Sequence, residues 1–368
     1  YGGRGTLADD TPPTPPQDAL KRFTLREGFE IELIAHEPEV RQPLFVSFDH
    51  KNRLWVTQYI QYQFPAGLKI VEYDNHLRAQ FDKVPEPPPH GVKGADKITF
   101  FEDKDGDGTY ESHTDAITGL NIATSAVWGH GGIWVTNPPY LLFYPDANDD
   151  GLPDGDPEVC LRGFGLEDTH SVVSSLQFGP DGWLYGATGS TTTGTVSSAV
   201  TKEVHWQGQN IWRYHPDTKV FEIYAEGGGN TFSLEIDSVG RVFSGTNGGG
   251  TRGMYYPQGS YGVKGWGKHG PLTNPYAFGY FEHMRHEGDN RRFPQAFCIY
   301  EGGRFPFEAF DGHIIAPNSL QNVVWVSERL PDTSTYRTVD QANLVETPDR
   351  WFRPVWGGVG NDGCFYMA

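Results

Sequence analysis

The feature that most constrains the fold is a short motif that recurs along the chain. Six times, a run of alternating apolar and polar residues leads to an aromatic residue, after a bend rich in Gly, Asn or Asp. These aromatic residues, called anchors below, are Trp55, Trp134, Tyr185, Phe243, Trp325 and Tyr366. Alternation around such a bend is typical of a β-hairpin, and repetition at intervals of about forty residues or more is typical of propeller blades. The motif therefore predicts an all-β fold, a six-bladed β-propeller, with the six anchors in equivalent strands of six sheets.

The spacing of the anchors predicts long insertions in this propeller. Successive anchors lie roughly 40 to 80 residues apart, whereas a four-stranded blade takes about 40 residues. The excess is expected to form loops, and loops on one face of a propeller usually build its binding site. Residues 1–22 are rich in proline and predict an extended arm, so the propeller is assigned to residues 23–368.

The sixth copy of the motif ends in mid-strand, which raises the question of how the ring closes. A closed propeller needs further strands there, either from the N-terminal segment, from residues beyond 368, or from both. Residues 29–33 alternate apolar and acidic side chains, and we expect them to pair in the same sheet as residues 364–367. On this interpretation the chain is a fragment of a longer polypeptide.

Composition argues against several classes of partner. The formal net charge is −18, with 47 acidic and 29 basic residues, which disfavours an extended surface for nucleic acid or anionic membranes. No window approaches the roughly 18 apolar residues of a membrane-spanning helix. The three cysteines show no CxxC or CxxCH spacing, which excludes a zinc knuckle and a covalently attached haem here. The proline-rich beginning is typical of a mature periplasmic or secreted protein, or of an ordinary linker.

Two acidic segments follow the pattern D-x-[DN]-x-D-G, which is typical of calcium-binding loops. The candidate metal ligands are Asp103, Asp105 and Asp107 in the first segment and Asp146, Asn148, Asp150 and Asp154 in the second. Calcium prefers six to eight oxygen ligands, and this spacing turns alternate side chains inward. Both segments lack the glutamate at loop position twelve, so neither is an EF-hand. We expect structural calcium sites, the alternative being solvated hairpin turns.

The third copy of the motif contains the strongest candidate for catalysis. In HSVVSSLQFGPDGWLY, His170 stands shortly before a buried strand, where the chain enters that strand from a loop. A histidine at the mouth of a propeller is a candidate general base, because its pKa lies near physiological pH.

The order of three motifs resembles that of the soluble quinoprotein glucose and aldose dehydrogenases. These motifs are HSVVSSLQFGPDGWLY, then IWRYHPDT with GGGN, then DRWFRPV followed by GVGNDGCFY. Over roughly residues 12–368 the chain also resembles the membrane-bound dehydrogenase domain found in Planctomycetes and Verrucomicrobia. The resemblance implies a six-bladed propeller that uses pyrroloquinoline quinone (PQQ) and calcium, oxidises a sugar or alcohol and passes electrons to a cytochrome c.

The resemblance also implies roles for three residues and shows three departures. His170 matches the family's proton-accepting histidine, Asn230 matches an asparagine beside the cofactor, and Arg353 matches an arginine that holds cofactor carboxylates. The positions of three further family cations are occupied by Gly229, Trp351 and, approximately, Gln321.

These departures leave alternatives open. PQQ carries three carboxylates, and burying them needs paired cations from the protein. Substitute cations from the insertions are Arg252, Lys264, Lys268 or Arg337. Otherwise the chain is a cofactor-free binding or scaffold propeller within a larger multidomain or multi-haem assembly. A weaker alternative is a calcium-dependent lactonase, which needs one ion in the central channel with Glu and Asn ligands.

Overall fold

The structure is a computed structural model and describes residues 12–76, 78–231, 233–264, 269–292 and 296–368. In chain order its helices and strands are α1 (Pro16–Leu20), β1 (Thr24–Leu25), β2 (Pro43–Phe48), β3 (Leu54–Gln58), β4 (Ile70–Tyr73), β5 (Ala79–Phe81), β6 (Asp96–Glu102), β7 (Ser112–Leu120), β8 (Ser125–Gly129), β9 (Gly132–Asn137), β10 (Tyr140–Pro145), β11 (Glu158–Phe164), β12 (Ser174–Phe178), β13 (Leu184–Thr188), β14 (Thr193–Ser197), β15 (Val204–Gln207), β16 (Asn210–Tyr214), β17 (Phe221–Glu226), β18 (Glu235–Ile236), β19 (Val242–Ser244), β20 (Met254–Tyr256), β21 (Arg285–Glu287), β22 (Cys298–Tyr300), α2 (Phe307–Phe310), β23 (His313–Asn318), β24 (Val323–Asp332), β25 (Thr335–Asp340), β26 (Val345–Glu346), β27 (Gly357–Val359) and β28 (Phe365–Met367). The prediction of an all-β fold is confirmed.

Six sheets follow one another along the chain, and they are numbered here in that order. They are β2-β3-β6-β7, then β8-β9-β10-β11 extended by β14 and β15, then β12-β13-β16-β17, then β18-β19-β20, then β22-β23-β24-β26 with β1, β21 and β25, and finally β27-β28. Strands β4 and β5 form a separate hairpin. Except for β21 with β25, these named strands pair antiparallel.

The first strands of the six sheets, called the inner strands below, are joined in a ring. They are β2, β8, β12, β18, β22 and β27. In four sheets an inner-strand side chain bonds to the backbone of the next inner strand, namely Ser47 to Ala126, Ser125 to Leu176, Gln177 to Ile236 and Glu235 to Ile299. The sixth sheet contacts the first, because Asn361 donates to the carbonyl oxygen of Asp49 at 2.6 Å. The sheets therefore follow one another around a circle, as in a β-propeller.

The hydrophobic core is divided into clusters that lie between consecutive sheets. Six clusters occupy the six interfaces, including the one between the sixth and first sheets. The largest combines Trp134 of the second sheet with Trp212 and Phe221 of the third, all of them at most 2% exposed. Alternating strand residues thus face the two neighbouring sheets, which explains the period-two pattern of the sequence.

Each anchor lies in a different sheet, but Trp325 does not hold the position expected for it. The other five anchors lie in the second strand of their sheet and pack toward the following sheet. Trp325 lies in the third strand, β24, and packs toward the preceding fourth sheet. The equivalent residue is Ile315 of β23, which faces the sixth sheet. HIIAPN and NVVWVSE are two strands of one hairpin. The first of these strands has the apolar Ile315 where the other sheets have an aromatic anchor.

The N-terminal segment also differs from the prediction. Residues 29–33 form no strand, because Phe29 packs its ring between Phe305 and Phe310, at centroid distances of 4.7 and 5.3 Å. The N-terminal strand that does form, β1, pairs with β26 of the fifth sheet rather than with the sixth. Within the proline-rich arm, residues 16–20 form the short helix α1, with a proline in its first turn, where proline is tolerated.

Candidate active site

Strand direction divides the candidate residues between two ends of the ring. Antiparallel strands alternate in direction, so the connections that lead into the inner strands all lie at one end, called the entry end here. His170, Asn230 and Arg353 precede β12, β18 and β27 and belong to this end. The two acidic segments connect β6 to β7 and β10 to β11, so they lie at the opposite end, called the turn end. The predicted base and the predicted calcium loops are therefore on different faces.

His170 is held by a carboxylate that the sequence analysis did not select. Its Nδ1 lies 2.9 Å from Oδ1 of Asp168, and its backbone N–H donates to the same oxygen at 3.1 Å. The ring of Tyr62 stands edge-on to the imidazole at a centroid distance of 5.2 Å. The side chain of His170 is 61% exposed. With Nδ1–H donated to Asp168, the lone pair of Nε2 is directed away from the carboxylate, as a general base requires.

The pair shifts the pKa values of both partners. The hydrogen bond to Asp168 raises the pKa of His170, against a smaller opposing effect of burial. Burial alone would raise the pKa of Asp168, but hydrogen bonds from His170 and Thr191 outweigh it and lower the pKa to about 2. Asp168 is therefore ionised at neutral pH, and it favours the protonated imidazole that forms when His170 accepts a proton.

One hydrogen-bonded network connects His170 to Asn230. The hydroxyl of Thr191 donates to Oδ2 of Asp168, and the backbone N–H of the adjacent Ser190 donates to Oδ1 of Asn230 at 2.8 Å. This bond fixes the amide orientation, so the NH₂ group of Asn230 remains as a donor. Within the described ranges that group has no acceptor. The structure therefore brings two of the three carried-over residues together.

The backbone explains why position 229 is glycine. Gly229 has a φ of 103°, which residues with a side chain rarely adopt, and a Cβ there would lie 2.4 Å from Oγ1 of Thr246. His283 is also adjacent, because its Nε2 donates to the carbonyl oxygen of Gly228. The arginine of the dehydrogenases that the sequence resembles therefore does not fit at this position.

Arg353 is exposed, and it is separate from the other two residues. It lines a groove of about 850 Å³ beside the sixth sheet, together with Phe29, Trp356 and Phe365. In the part of the chain that the structure describes, neither His170 nor Asn230 bonds to Arg353.

The substitute cations proposed from the insertions are engaged elsewhere. Arg252 is buried and bonds Asp340 at 2.7 Å, Lys264 lies 3.5 Å from Glu226, and Arg337 lies 3.2 Å from Glu287. Lys268 falls outside the described residues. Asn230 and Arg353 have the right chemistry for an acidic cofactor, because carboxylates accept hydrogen bonds from an amide N–H and from a guanidinium. These two side chains are fewer than the three carboxylates of PQQ.

The first acidic loop brings four carboxylates together at the turn end. Oxygen atoms of Asp103, Asp105, Asp107 and Glu111 lie within 4.8 Å of one another. Glu111 was missed because a glutamate was sought only at loop position twelve, whereas Glu111 occupies position nine. Asp103 also accepts the backbone N–H groups of Gly106 and Gly108, which holds the loop in its turn. The spacing and the hard oxygen donors fit calcium.

The second acidic loop uses its oxygen atoms internally. Asp146 is buried and accepts hydrogen bonds from Trp128, Asp150 and Gly151, at 2.9 to 3.0 Å. Asn148 donates to Asp150, and Asp154 accepts from the backbone of Ala147. Over the described residues, only the first loop forms a group of three or more close carboxylates. The structure thus favours the first loop over the second as a calcium site, and calcium at the second loop stays a prediction.

Comparison with known proteins places the chain in a family. Residues 15–368 match the family described as Domain of unknown function (DUF7133). The chain belongs to this family. No curated protein matched the sequence.

Two solved structures that are similar to this chain contain PQQ. The holo PQQ domain of pyranose dehydrogenase from Coprinopsis cinerea is similar at a TM-score of 0.51 and 10% identity, over 94% of each chain. The PQQ-bound aldose sugar dehydrogenase from Streptomyces coelicolor has a TM-score of 0.47 and 14% identity, over 91% of this chain and 88% of that one. The first of these likenesses shows that the chain has the fold of that PQQ domain. No helix among the described residues has the length and apolar character to span a membrane.

Proposed function

We propose that this protein is a quinoprotein-type dehydrogenase that oxidises a small sugar or alcohol. The observation that carries the proposal is the Asp168–His170 pair at the entry end of the ring, with Nδ1 2.9 Å from Oδ1. PQQ, when bound, supplies the hydride acceptor, which side chains cannot provide. His170 accepts the hydroxyl proton of the substrate at Nε2, and its exposure leaves that atom accessible to a small molecule.

Three further residues assist this base. Asp168 fixes the tautomer of His170 and stabilises the imidazolium by its negative charge. Thr191 donates to the second oxygen of Asp168 and fixes the orientation of the carboxylate. Asn230 presents its NH₂ group at the same end, where it can donate to a carbonyl or carboxylate oxygen of the cofactor.

The proposal includes the architecture of six blades. The ring of inner strands and the six inter-sheet clusters support one blade for each sheet. The sixth sheet has two strands, whereas the first and third have four. On its open side, the apolar groove beside β28 has space for further strands. We propose that polypeptide outside the described residues supplies them, which would slow amide exchange of Phe365–Met367 in a longer protein.

The cellular setting follows from the resemblance. A periplasmic or secreted protein would pass electrons from the reduced cofactor to a cytochrome c. The chain has no CxxCH motif, so the haem would belong to a separate domain or protein. Measuring reduction of a purified c-type cytochrome, with and without substrate, tests this part of the proposal.

Calcium is proposed at the first acidic loop, as a structural ion. Its distance from the entry end, on the opposite face, supports a role in bracing the β6–β7 hairpin rather than in the reaction. Calorimetric titration of the protein with calcium after exhaustive chelation tests this site.

Reconstitution tests the activity. The protein is incubated with PQQ and calcium, and reduction of an artificial electron acceptor is followed with a panel of aldoses and alcohols. His170→Ala is expected to lower kcat by about 10²- to 10⁴-fold with little change in cofactor affinity. His130→Ala is the matched control, because His130 lies in the β8–β9 turn at the opposite end. Equal losses in the two variants would contradict the proposal.

A second candidate function is a binding propeller without a cofactor. It is favoured by the pairing of Arg252, Lys264 and Arg337 with carboxylates of the chain itself. Wild-type protein that binds no PQQ at high micromolar concentration would select this candidate. The lactonase alternative gains no support, because the one close carboxylate group of the described residues lies at the turn end.

A further inference from the structure

Arg292 is an exposed arginine at the entry end whose charge is not neutralised by the described chain. Its Nε donates to Oδ1 of Asn247, and no carboxylate of the described residues lies within 4 Å of its guanidinium nitrogens. Its neighbour Arg291 differs, because Asp289 pairs with that guanidinium through both oxygens, at 3.0 and 2.8 Å from Nε. The Nη1 and Nη2 groups of Arg292 therefore remain available within the described part of the chain.

A short path of contacts and peptide bonds connects Arg292 to the position where the dehydrogenases that the sequence resembles have an arginine. Oγ1 of Thr246 lies 2.4 Å from the point where a Cβ of residue 229 would be. The next residue along the chain, Asn247, binds the guanidinium of Arg292. Gly229 is itself followed by Asn230, whose Oδ1 accepts the backbone N–H of Ser190 at the same end of the ring. The contacts thus run from Asn230 through Gly229, Thr246 and Asn247 to Arg292.

The loop that carries Arg292 is held firmly against the glycine-rich loop of residues 245–250. A Cβ on Gly249 would lie 2.4 Å from the carbonyl oxygen of Asn290, so the two loops can approach only because residue 249 is glycine. Asn318 also donates to the carbonyl oxygen of Arg292 at 3.2 Å. Gly248 and Gly250, which flank Gly249 in the same loop, add no side chains to it.

We propose that Arg292 binds a carboxylate of the cofactor. It would supply the positive charge that is missing at position 229, where the residue is glycine. An arginine held at Nε presents its two terminal NH₂ groups side by side, which matches the two oxygens of a carboxylate. The charge comes from an insertion on the fifth-sheet side rather than from the segment before Asn230. This inference rests on the proposed function for the identity of the ligand, a polycarboxylate quinone.

The test compares two substitutions that each remove one positive charge. Binding of PQQ to the apoprotein is measured by quenching of tryptophan fluorescence, for wild type, Arg292→Gln and Arg291→Gln. Loss of a charge-assisted bond is expected to raise the Kd of Arg292→Gln by about 10- to 100-fold. Arg291→Gln should stay near wild type, because Asp289 already neutralises Arg291. Asn247→Ala should weaken binding less than Arg292→Gln, since it removes only the residue that positions the guanidinium.

A second probe separates this inference from the proposed function. Citrate is a small tricarboxylate, and its effect on Tm is compared with that of sodium chloride at equal ionic strength. If wild type binds PQQ and Arg292→Gln binds it equally well, the inference is wrong and the proposed function survives. If wild type binds citrate but not PQQ, and Arg292→Gln loses the citrate effect, the cofactor assignment fails and the anion site stands. Equal loss in Arg291→Gln, or no response of wild type to either anion, overturns the inference.

Discussion

A side chain at residue 229 should destabilise the protein, even when it introduces the arginine that the dehydrogenases resembled by the sequence have there. The backbone there has a φ of 103°, and left-handed conformations cost residues with a Cβ about 1 to 2 kcal/mol. A Cβ would also lie 2.4 Å from Oγ1 of Thr246, and overpacking of this kind costs about 1 to 3 kcal/mol. Gly229→Ala and Gly229→Arg should therefore each lower the free energy of unfolding by about 2 to 5 kcal/mol.

Urea denaturation separates the two contributions. Gly229→Ala is compared with wild type, and the same substitution is made in a Thr246→Ala background, in which the close oxygen is absent. The cost of the alanine should fall by about 1 to 3 kcal/mol in that background, because only the backbone contribution remains. Unfolding midpoints are compared at equal m-values. A Gly229→Ala variant within 0.5 kcal/mol of wild type, the scatter typical of neutral surface substitutions, would refute this reasoning.

Three further predictions concern charged groups. Asp168→Asn should move the acid limb of the pH–rate profile to lower pH, because the carboxylate that raises the pKa of His170 is lost; an unmoved limb would argue against His170 as the base. Glu235→Gln should stabilise the protein at pH 8, and the difference in stability should shrink toward pH 4.5 and vanish there. Burial raises the pKa of Glu235 to about 8, so its ionisation destabilises the fold as pH rises. The amide of glutamine can still accept the hydrogen bond from Ile299. Asp105→Asn should weaken calcium binding in titration calorimetry and leave dye reduction at saturating PQQ nearly unchanged, whereas an equal loss of turnover would place the ion in the reaction.

The sequence predicted the fold well where alternation and bends coincide. Five anchors lie in second strands, because an aromatic residue there fills the interface to the next sheet. Trp325 was placed in the wrong strand, since a third strand can bury an aromatic residue against the preceding sheet equally well. Residues 29–33 alternate like a strand, yet the burial of Phe29 among aromatic rings determines their path. Local patterns do not reveal such long-range packing.

The candidate site was predictable only in part. His170 was found from its place before a buried strand, and the spacing Asp-x-His would have revealed Asp168 as well. Arg292 was missed because its relevance depends on a contact with Asn247, which is 45 residues away in the chain. The ion pairs of Arg252 and Lys264 could not be predicted for the same reason, because their carboxylate partners come from distant segments.

The division of the core among the six interfaces determines which changes to the chain the fold can tolerate. Each of the six interface clusters draws its residues from two sheets, so among the described residues no sheet is packed by one of these clusters alone. Opening the chain at an exposed loop and joining its original ends would leave every interface intact. Deleting one sheet would instead remove half of two clusters at once. The chain should therefore tolerate circular permutation at its loops better than the loss of any single sheet. A sheet expressed alone would expose two apolar faces to water and should not fold.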